Sequence, residues 1–388
     1  VGKKYSYLEN FLGRHCYFPE GHLKLDYEAE FSDGQEVPST FSFLTYNIWG
    51  LDRTPELRHL FDLRAPLLEK TIRATGADLL CLQEMSAYSY ERLAGLISSY
   101  TFASEIPYRG GSERNRAVDT YFISNYKPSR IALYGLPGVL GYENCMMVVE
   151  FPNLVIFNLY NQAGSQYSPG QKHKAIHYSR CRYDILQTIY DLIIKKYSQK
   201  SSILCGDFNF DLDGSVEDWP EMEMIHALKT LGFIDTFRLL RPSDPGFTED
   251  TKTNLMRWNQ KLIEKQYRYD GVFYRIAPSP RRGWALKESN LIGQESACLT
   301  TADSAWFIDK MSEAKGGHEA ELRGCEHEEG TIRVPILASD HFGVLTNFKI
   351  PSAGGTRRIK AKRKNKTRHR NAAWKEESTK RCVLSSGT

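Results

Sequence analysis

Five short stretches carry the side chains that could do chemistry: Asn47, the pair Gln83-Glu84, Asp207 with Asn209, Asp270, and the Ser339-Asp340-His341 triplet. Each alone has an ordinary reading as a turn or a cap, because Asp, Asn and Ser favour turns. Each, however, stands at the end of an apolar run that reads as a strand, and the set contains carboxylates, amides and one imidazole. That is what metal-assisted attack on a phosphodiester requires. A hard cation takes oxygen ligands, a water must be oriented in line, and charge on the phosphoryl oxygens must be neutralised. Neither a GxSxG nucleophile turn nor a GxxxxGK[ST] phosphate loop is present in the sequence.

The elements that must position these residues can be read from periodicity. Phe41–Trp49 is rich in aromatic and β-branched residues and is broken by Gly50, as for a strand. Leu57, Leu60, Leu63, Leu67, Leu68 and Ile72 recur at helical spacing before Gly76. Ala77–Glu84 and Ser202–Cys205 are short continuous apolar runs of the kind buried strands show. Further strands are expected near 120–124, 131–134, 146–151, 154–160 and 268–274. Helices are expected over about 172–197 and 219–231. Residues 1–40 read as an N-terminal extension, 41–350 as the catalytic domain, and 351–388 as a basic, disordered tail. Between 288 and 334 periodicity is lost, which reads as an irregular insertion. Strands bounded by helices, with polar residues gathered at strand ends, describe an α/β two-sheet sandwich.

The chain has 388 residues, 41% hydrophobic and 25% charged, a composition able to bury a core. No apolar run approaches the ~20 residues that span a bilayer, and no secretory signal pattern is visible at the N-terminus. The net charge of +4 hides an asymmetry, because residues 351–388 hold twelve Lys/Arg against two Glu. A polyanion would be drawn to Arg357, Arg358, Lys360, Lys362, Arg363, Lys364, Lys366, Arg368 and Arg370, a run that also suits nuclear import. The eight cysteines are scattered without a CxxC. With Cys81 and Cys205 in apolar strands and Cys181 read as a packed thiol, they point to a reducing, intracellular setting. His318, Cys325 and His327 lie close together but fit no standard zinc spacing. Arg114 and Arg116 read as a solvated loop.

Thr45-Tyr46-Asn47, Leu82-Gln83-Glu84, Gly206-Asp207-Phe208-Asn209, Arg268-Tyr269-Asp270 and Ser339-Asp340-His341, in this order, resemble the endonuclease/exonuclease/phosphatase superfamily. The resemblance spans about 41–350 and implies a four-layer α/β/β/α sandwich with a divalent cation, Mg²⁺ or Mn²⁺. By it, Glu84, Asn47 and Asp340 would form the metal site, Asp207 would orient the attacking water, and Asn209 would help fix water and phosphate. His341 would stabilise the phosphoryl oxygens, held by Asp270. Within the superfamily, Thr45–Asp52, Phe247–Thr251 with Asn254, and Arg268–Arg275 look most like the 5′-tyrosyl-DNA phosphodiesterases. Tyr160, followed by Ala163-Gly164, is similar to the phosphate-contacting Tyr of abasic-site endonucleases. Asp211 and Glu249 stand where that first group has Arg and Trp, and these acidic replacements would repel phosphate. The expected function is a phosphodiesterase acting on nucleic acid, with DNA favoured over RNA and blocked 5′ ends among the substrates. The rivals are a catalytically silent nucleic-acid-binding or packaging protein, and a phospholipid or sphingolipid phosphodiesterase. The latter would call for an apolar membrane-facing loop or an anchor, and the sequence shows neither. Oligomeric state is not encoded in these motifs.

Overall fold

Side chains alternate across a strand, and in this chain both faces are apolar. Along β2 (Thr40–Asn47), Phe41 and Phe43 join one core while Leu44 and Tyr46 join another. Along β9 (Ser202–Asp207), Ile203 and Cys205 face the first core and Leu204 a third. Strands buried on both sides need a layer on each, which makes a sandwich of two sheets covered by helices. The computed structural model describes residues 24–105, 119–136, 144–164, 172–254, 256, 265–278, 283–312 and 334–350. These all fall within one structural unit, Val1–Pro351, separate from Ser352–Thr388.

One sheet has seven strands in the order β1 (Lys24–Glu30), β6 (Arg130–Leu136), β7 (Asn144–Glu150), β8 (Val155–Tyr160), β9, β13 (Asp270–Arg275) and β10 (Ile234–Asp235). The other has six: β14 (Ala285–Ile292), β17 (Gly343–Lys349), β2, β3 (Leu79–Met85), β5 (Asp119–Ser124) and β4 (Phe102–Ala103). Two small pairs, β11 (Glu249–Asp250) with β12 (Gln266–Tyr267) and β15 (Ser296–Cys298) with β16 (Pro335–Leu337), flank them. Phe43, Cys81, Phe122, Met147, Ile156, Cys205 and Val272 fill the space between the large sheets. The Pro55–Thr75 helix covers the six-stranded sheet through Phe61, Leu68 and Ile72. Thr54 caps its N-terminus, and Gly76 ends it in the left-handed region. The Lys172–Tyr197 and Met222–Thr230 helices cover the seven-stranded sheet through Ile185, Ile189, Ile193, Ile225 and Leu228. This is the α/β/β/α sandwich that the motif set implied.

Within the N-terminal extension, β1 pairs with β6 as an edge strand of the larger sheet. Two sequence expectations are corrected. The stretch read as irregular contains the end of β14, which pairs with β17, together with β15 and a helix at Thr301–Ser312. β14 escaped notice because an edge strand has a neighbour on one side only, and most of its side chains are exposed or half-buried. Cys81 and Cys205 are buried free thiols as expected, with Cys145. Cys181 and Cys298, by contrast, are disulfide-bonded, so the reading of Cys181 as a packed thiol does not hold. Cysteine pairing follows from proximity in the fold, which scattered spacing does not encode. Arg114, Arg116, His318, Cys325, His327 and the basic run Arg357–Arg370 lie outside the described residues.

Candidate active site

The same alternation that builds the inter-sheet core places the polar residues. Phe41, Phe43, Thr45 and Asn47 share a face of β2; Ile156, Asn158 and Tyr160 one of β8; Ile203, Cys205 and Asp207 one of β9; Asp270, Val272 and Tyr274 one of β13. Asn47, Tyr160, Asp207 and Asp270 therefore arrive at the rim of the inter-sheet space. Register brings them together: Asp207 is the Cα partner of both Asp270 across the antiparallel pair and Tyr160 across the parallel pair. Just below, Gln83 Nε2 donates to Thr45 Oγ1 (3.0 Å) and to Asn158 Oδ1 (2.7 Å), a polar bridge between sheets that separates the site from the apolar core. Gly206 permits the approach. It has φ +127°, and a Cβ there would stand 1.9 Å from the Leu159 carbonyl oxygen.

Asn47 Nδ2 donates to Glu84 Oε1 (3.1 Å) and to Asp207 Oδ2 (3.0 Å), while its Oδ1 accepts from the Trp49 N–H (3.0 Å). The sequence reading placed Asn47 in the metal site; in this structure its amide bridges two carboxylates. Tyr160 OH donates to the same Glu84 Oε1 (2.9 Å). Asp207 Oδ1 accepts from the Asn209 N–H (2.8 Å), and Asn209 Nδ2 reaches Asp207 Oδ2 (3.2 Å) and the Asn161 carbonyl (3.0 Å). Glu84 and Asn209 both hold left-handed backbone, φ +57° and +56°, a strain that concentrates at functional sites. His341 Nδ1 lies 2.7 Å from Asp270 Oδ2, with both side chains almost fully buried. Asp340 Oδ1 accepts from Ser339 Oγ (3.3 Å), which also donates to the Asn47 carbonyl (2.7 Å).

Electrostatics follow from burial and crowding. Burial pushes the Asp207 carboxyl up to about 8, and the charge of Asp270 adds to it. A carboxyl poised near neutrality is suited to taking a proton from water. Glu84 is raised by burial and then by Asp340. For His341 burial works against the charged ring, but Asp270 outweighs it and holds the imidazolium well above the ordinary range. Tyr160 is half-buried; desolvation, then the charges of Glu84 and Asp207, raise it well above its usual value, so it stays a hydroxyl donor.

The residues fit a divalent cation. Glu84 Oε2 and Asp270 Oδ1 are buried without a hydrogen-bond partner among the described residues, and orphaned carboxylate oxygens of this kind are what a cation would satisfy. Glu84 and Asp340 offer the hard oxygen donors that suit Mg²⁺ or Mn²⁺. Asp207, Asp270 and His341 form a second group, with ligand atoms within 4.8 Å of one another. A bound cation would neutralise phosphoryl charge and polarise the scissile phosphate.

Sequence reasoning named Thr248 and Asn254 among the motif residues without giving them a role, and did not single out Arg64. Thr248 Oγ1 accepts the N–H groups of Tyr269 and Asp270 (both 2.9 Å), and its carbonyl accepts from Phe342 (2.8 Å), tying the two halves of the His–Asp pair. Asn254 Nδ2 holds the Ser339 carbonyl (3.0 Å). Arg64 is buried on the sheet-facing side of its helix and donates to the carbonyls of Ile48 (2.7 Å), Ala338 (2.7 Å) and Trp49. An Arg on an apolar helical face was the signal available for it. The acidic replacements also differ from expectation. Glu249 is 1% exposed and ion-paired with Lys265 (3.2 Å). Asp211 Oδ1 accepts from the backbone N–H groups of Asp213 (3.2 Å) and Arg268 (3.4 Å). Their charges are spent inside the protein, so repulsion of phosphate does not follow from them.

A sequence model described as the Endonuclease/Exonuclease/phosphatase family matches residues 44–262, more than half of the chain. No curated protein matches it. Among solved structures, D. rerio TDP2 complexed with single-strand DNA product is similar at 18% identity over 80% of this chain and 99% of that one, with a TM-score of 0.50. Beta toxin from Staphylococcus aureus is 14% identical over 79% and 99%, TM-score 0.52. SmcL is 14% identical over 80% and 99%, TM-score 0.51. These likenesses concern the fold, a scaffold used mostly by hydrolytic nucleases and phosphodiesterases. The family match and the sandwich agree with the order of the motifs along the chain: it belongs to the endonuclease/exonuclease/phosphatase family.

Proposed function

We propose that this chain is a divalent-cation-dependent phosphodiesterase that hydrolyses phosphodiester bonds in nucleic acid, with DNA ends, including 5′-tyrosyl and otherwise blocked ends, as its substrates. The observation that carries the reading is the meeting of Asp207 and the Asp270–His341 pair, within 4.8 Å of one another, beside the orphaned oxygen of Glu84. In this reading Asp207, steadied by Asn47 and Asn209, orients the attacking water and accepts its proton. His341, kept charged by Asp270, donates to a phosphoryl oxygen as charge builds there. Tyr160 holds Glu84 in the orientation in which Glu84 and Asp340 take the cation. Nucleic acid is favoured over a lipid phosphodiester by the basic run from Arg357 to Arg370, which suits phosphate neutralisation.

The test is a panel of 5′-tyrosyl, abasic-site and plain oligonucleotides, together with sphingomyelin vesicles, each with Mg²⁺ or EDTA. The expected result is metal-dependent cleavage of an oligonucleotide that Asp207→Asn and His341→Ala both abolish. Cleavage of the vesicles alone would move the assignment to lipid. Binding of oligonucleotides without cleavage of any substrate would replace the enzyme with a binding protein.

A further inference from the structure

Trp49 has a backbone that its side chain does not favour. Its φ is +49°, and a left-handed conformation is a genuine outlier for so bulky a residue. The conformation is imposed from several sides. The Trp49 N–H is held by Asn47 Oδ1 at 3.0 Å, and its carbonyl accepts from Arg64. The next N–H, of Gly50, bonds the Glu84 carbonyl at 2.8 Å, and a Cβ on Gly50 would stand 2.3 Å from that oxygen. The indole thus leaves the chain two residues after Asn47, at the rim that carries Glu84. One part of it packs on the apolar cluster of Leu60, Phe307 and Leu337, yet the residue stays half-buried. The Arg64 guanidinium, itself fixed by three carbonyls and lying over the Phe61 ring at 4.7 Å, stands 5.1 Å from the indole centroid.

A packing role alone does not call for this arrangement, because an extended residue on β2 reaches a core without strain. A rigid, half-exposed ring backed by a fixed cation is instead the kind of surface on which a planar group stacks. We infer that Trp49 is a stacking platform for the nucleobase next to the scissile phosphate, and so a specificity-determining residue of the site. The inference rests on the nucleic-acid reading above. It concerns the base, where the residues discussed so far concern the phosphate.

The test measures equilibrium binding of the full chain to a single-stranded oligonucleotide in EDTA, where cleavage is off. A second oligonucleotide of equal length and charge with abasic sites at every position is the reference. Stacking contributes ~1–3 kcal/mol per base, so Trp49→Leu is expected to weaken binding of the base-containing strand by about 5- to 150-fold. Binding of the abasic strand should be unchanged, and Trp49→Phe should fall between wild type and Trp49→Leu. Quenching of tryptophan fluorescence by the base-containing strand should also lose a component in Trp49→Phe, which keeps the fold readable if the Leu variant unfolds. Equal binding of the base-containing strand by wild type and both variants overturns the inference while leaving the function standing. Equal losses for both strands also overturn it, by showing a structural rather than a stacking role. Failure of the wild type to bind either strand overturns the nucleic-acid reading, and the inference with it.

Discussion

Asp270→Asn tests the electrostatic core of the site with almost no change of volume. Asp270 is fully buried, His341 is 3% exposed, and their polar atoms are 2.7 Å apart. At an effective dielectric of about 20 and a charge separation of about 4 Å, the pair is worth about 4 kcal/mol, the equivalent of nearly 10³ in rate if the imidazolium is needed in the transition state. An Asn amide can still accept a hydrogen bond, so kcat is expected to fall by about 10²- to 10³-fold. The pH dependence carries the sign. His341 is held charged well above its ordinary value, so in the wild type the charged ring persists through neutral pH and is lost only as pH rises through that high value. Without the charge of Asp270, the alkaline decline in kcat should move to lower pH. The assay is kcat against pH at saturating Mg²⁺, accompanied by NMR titration of the histidine ring without metal. A variant within about threefold of wild type, with an unmoved alkaline limb, would refute the reasoning.

Glu84→Gln should weaken Mn²⁺ binding, measured by calorimetry on the free protein, by at least about tenfold, and should remove most of the rise in Tm that saturating Mn²⁺ gives the wild type. An unchanged isotherm would take Glu84 out of the cation site. At Glu150, burial opposes the charge, but Tyr197 (2.8 Å), Lys200 (3.1 Å) and Arg130 hold the carboxylate down at about 2. Its contribution is present above the ordinary carboxylate range and is lost as pH falls from about 4.5 toward 2. Allowing for the exposure of Lys200, Glu150→Gln should cost about 2 kcal/mol in urea unfolding at pH 7, a difference that shrinks as the pH falls through that window; a pH-independent difference would contradict it. Ending the chain after Pro351 removes all nine Lys/Arg of the run, and the slope of log K against log salt for oligonucleotide binding should lose roughly 0.7 per phosphate released. An identical slope would show that the tail makes no phosphate contact.

Local patterns in the sequence determined which residues stand at strand ends. Period-two alternation is set by the strand backbone itself, so Asn47, Asp207 and Asp270 were bound to follow the parity of Phe43, Cys205 and Val272 once those residues were buried. The Gly76 stop and the helical spacing from Leu57 to Ile72 were legible for the same reason. The order of the motifs, the first three of which fall within the family match over 44–262, then pointed to the architecture. What only the tertiary structure decided are meetings between residues far apart in the chain. These include the register that pairs Asp207 with Asp270 and the bridge of Asn47 between Glu84 and Asp207, while the contact of His341 with Asp270 is one the resemblance had already implied. They also include the fate of charges that composition counts alike. Asp211 and Glu249 look in sequence like repellents of phosphate, yet one is turned onto backbone N–H groups and the other onto Lys265. Arg64 looks like a surface charge, yet it is buried beneath the site. Whether a charge faces substrate or scaffold depends on which distant group lies within a few ångströms, and that is set by packing.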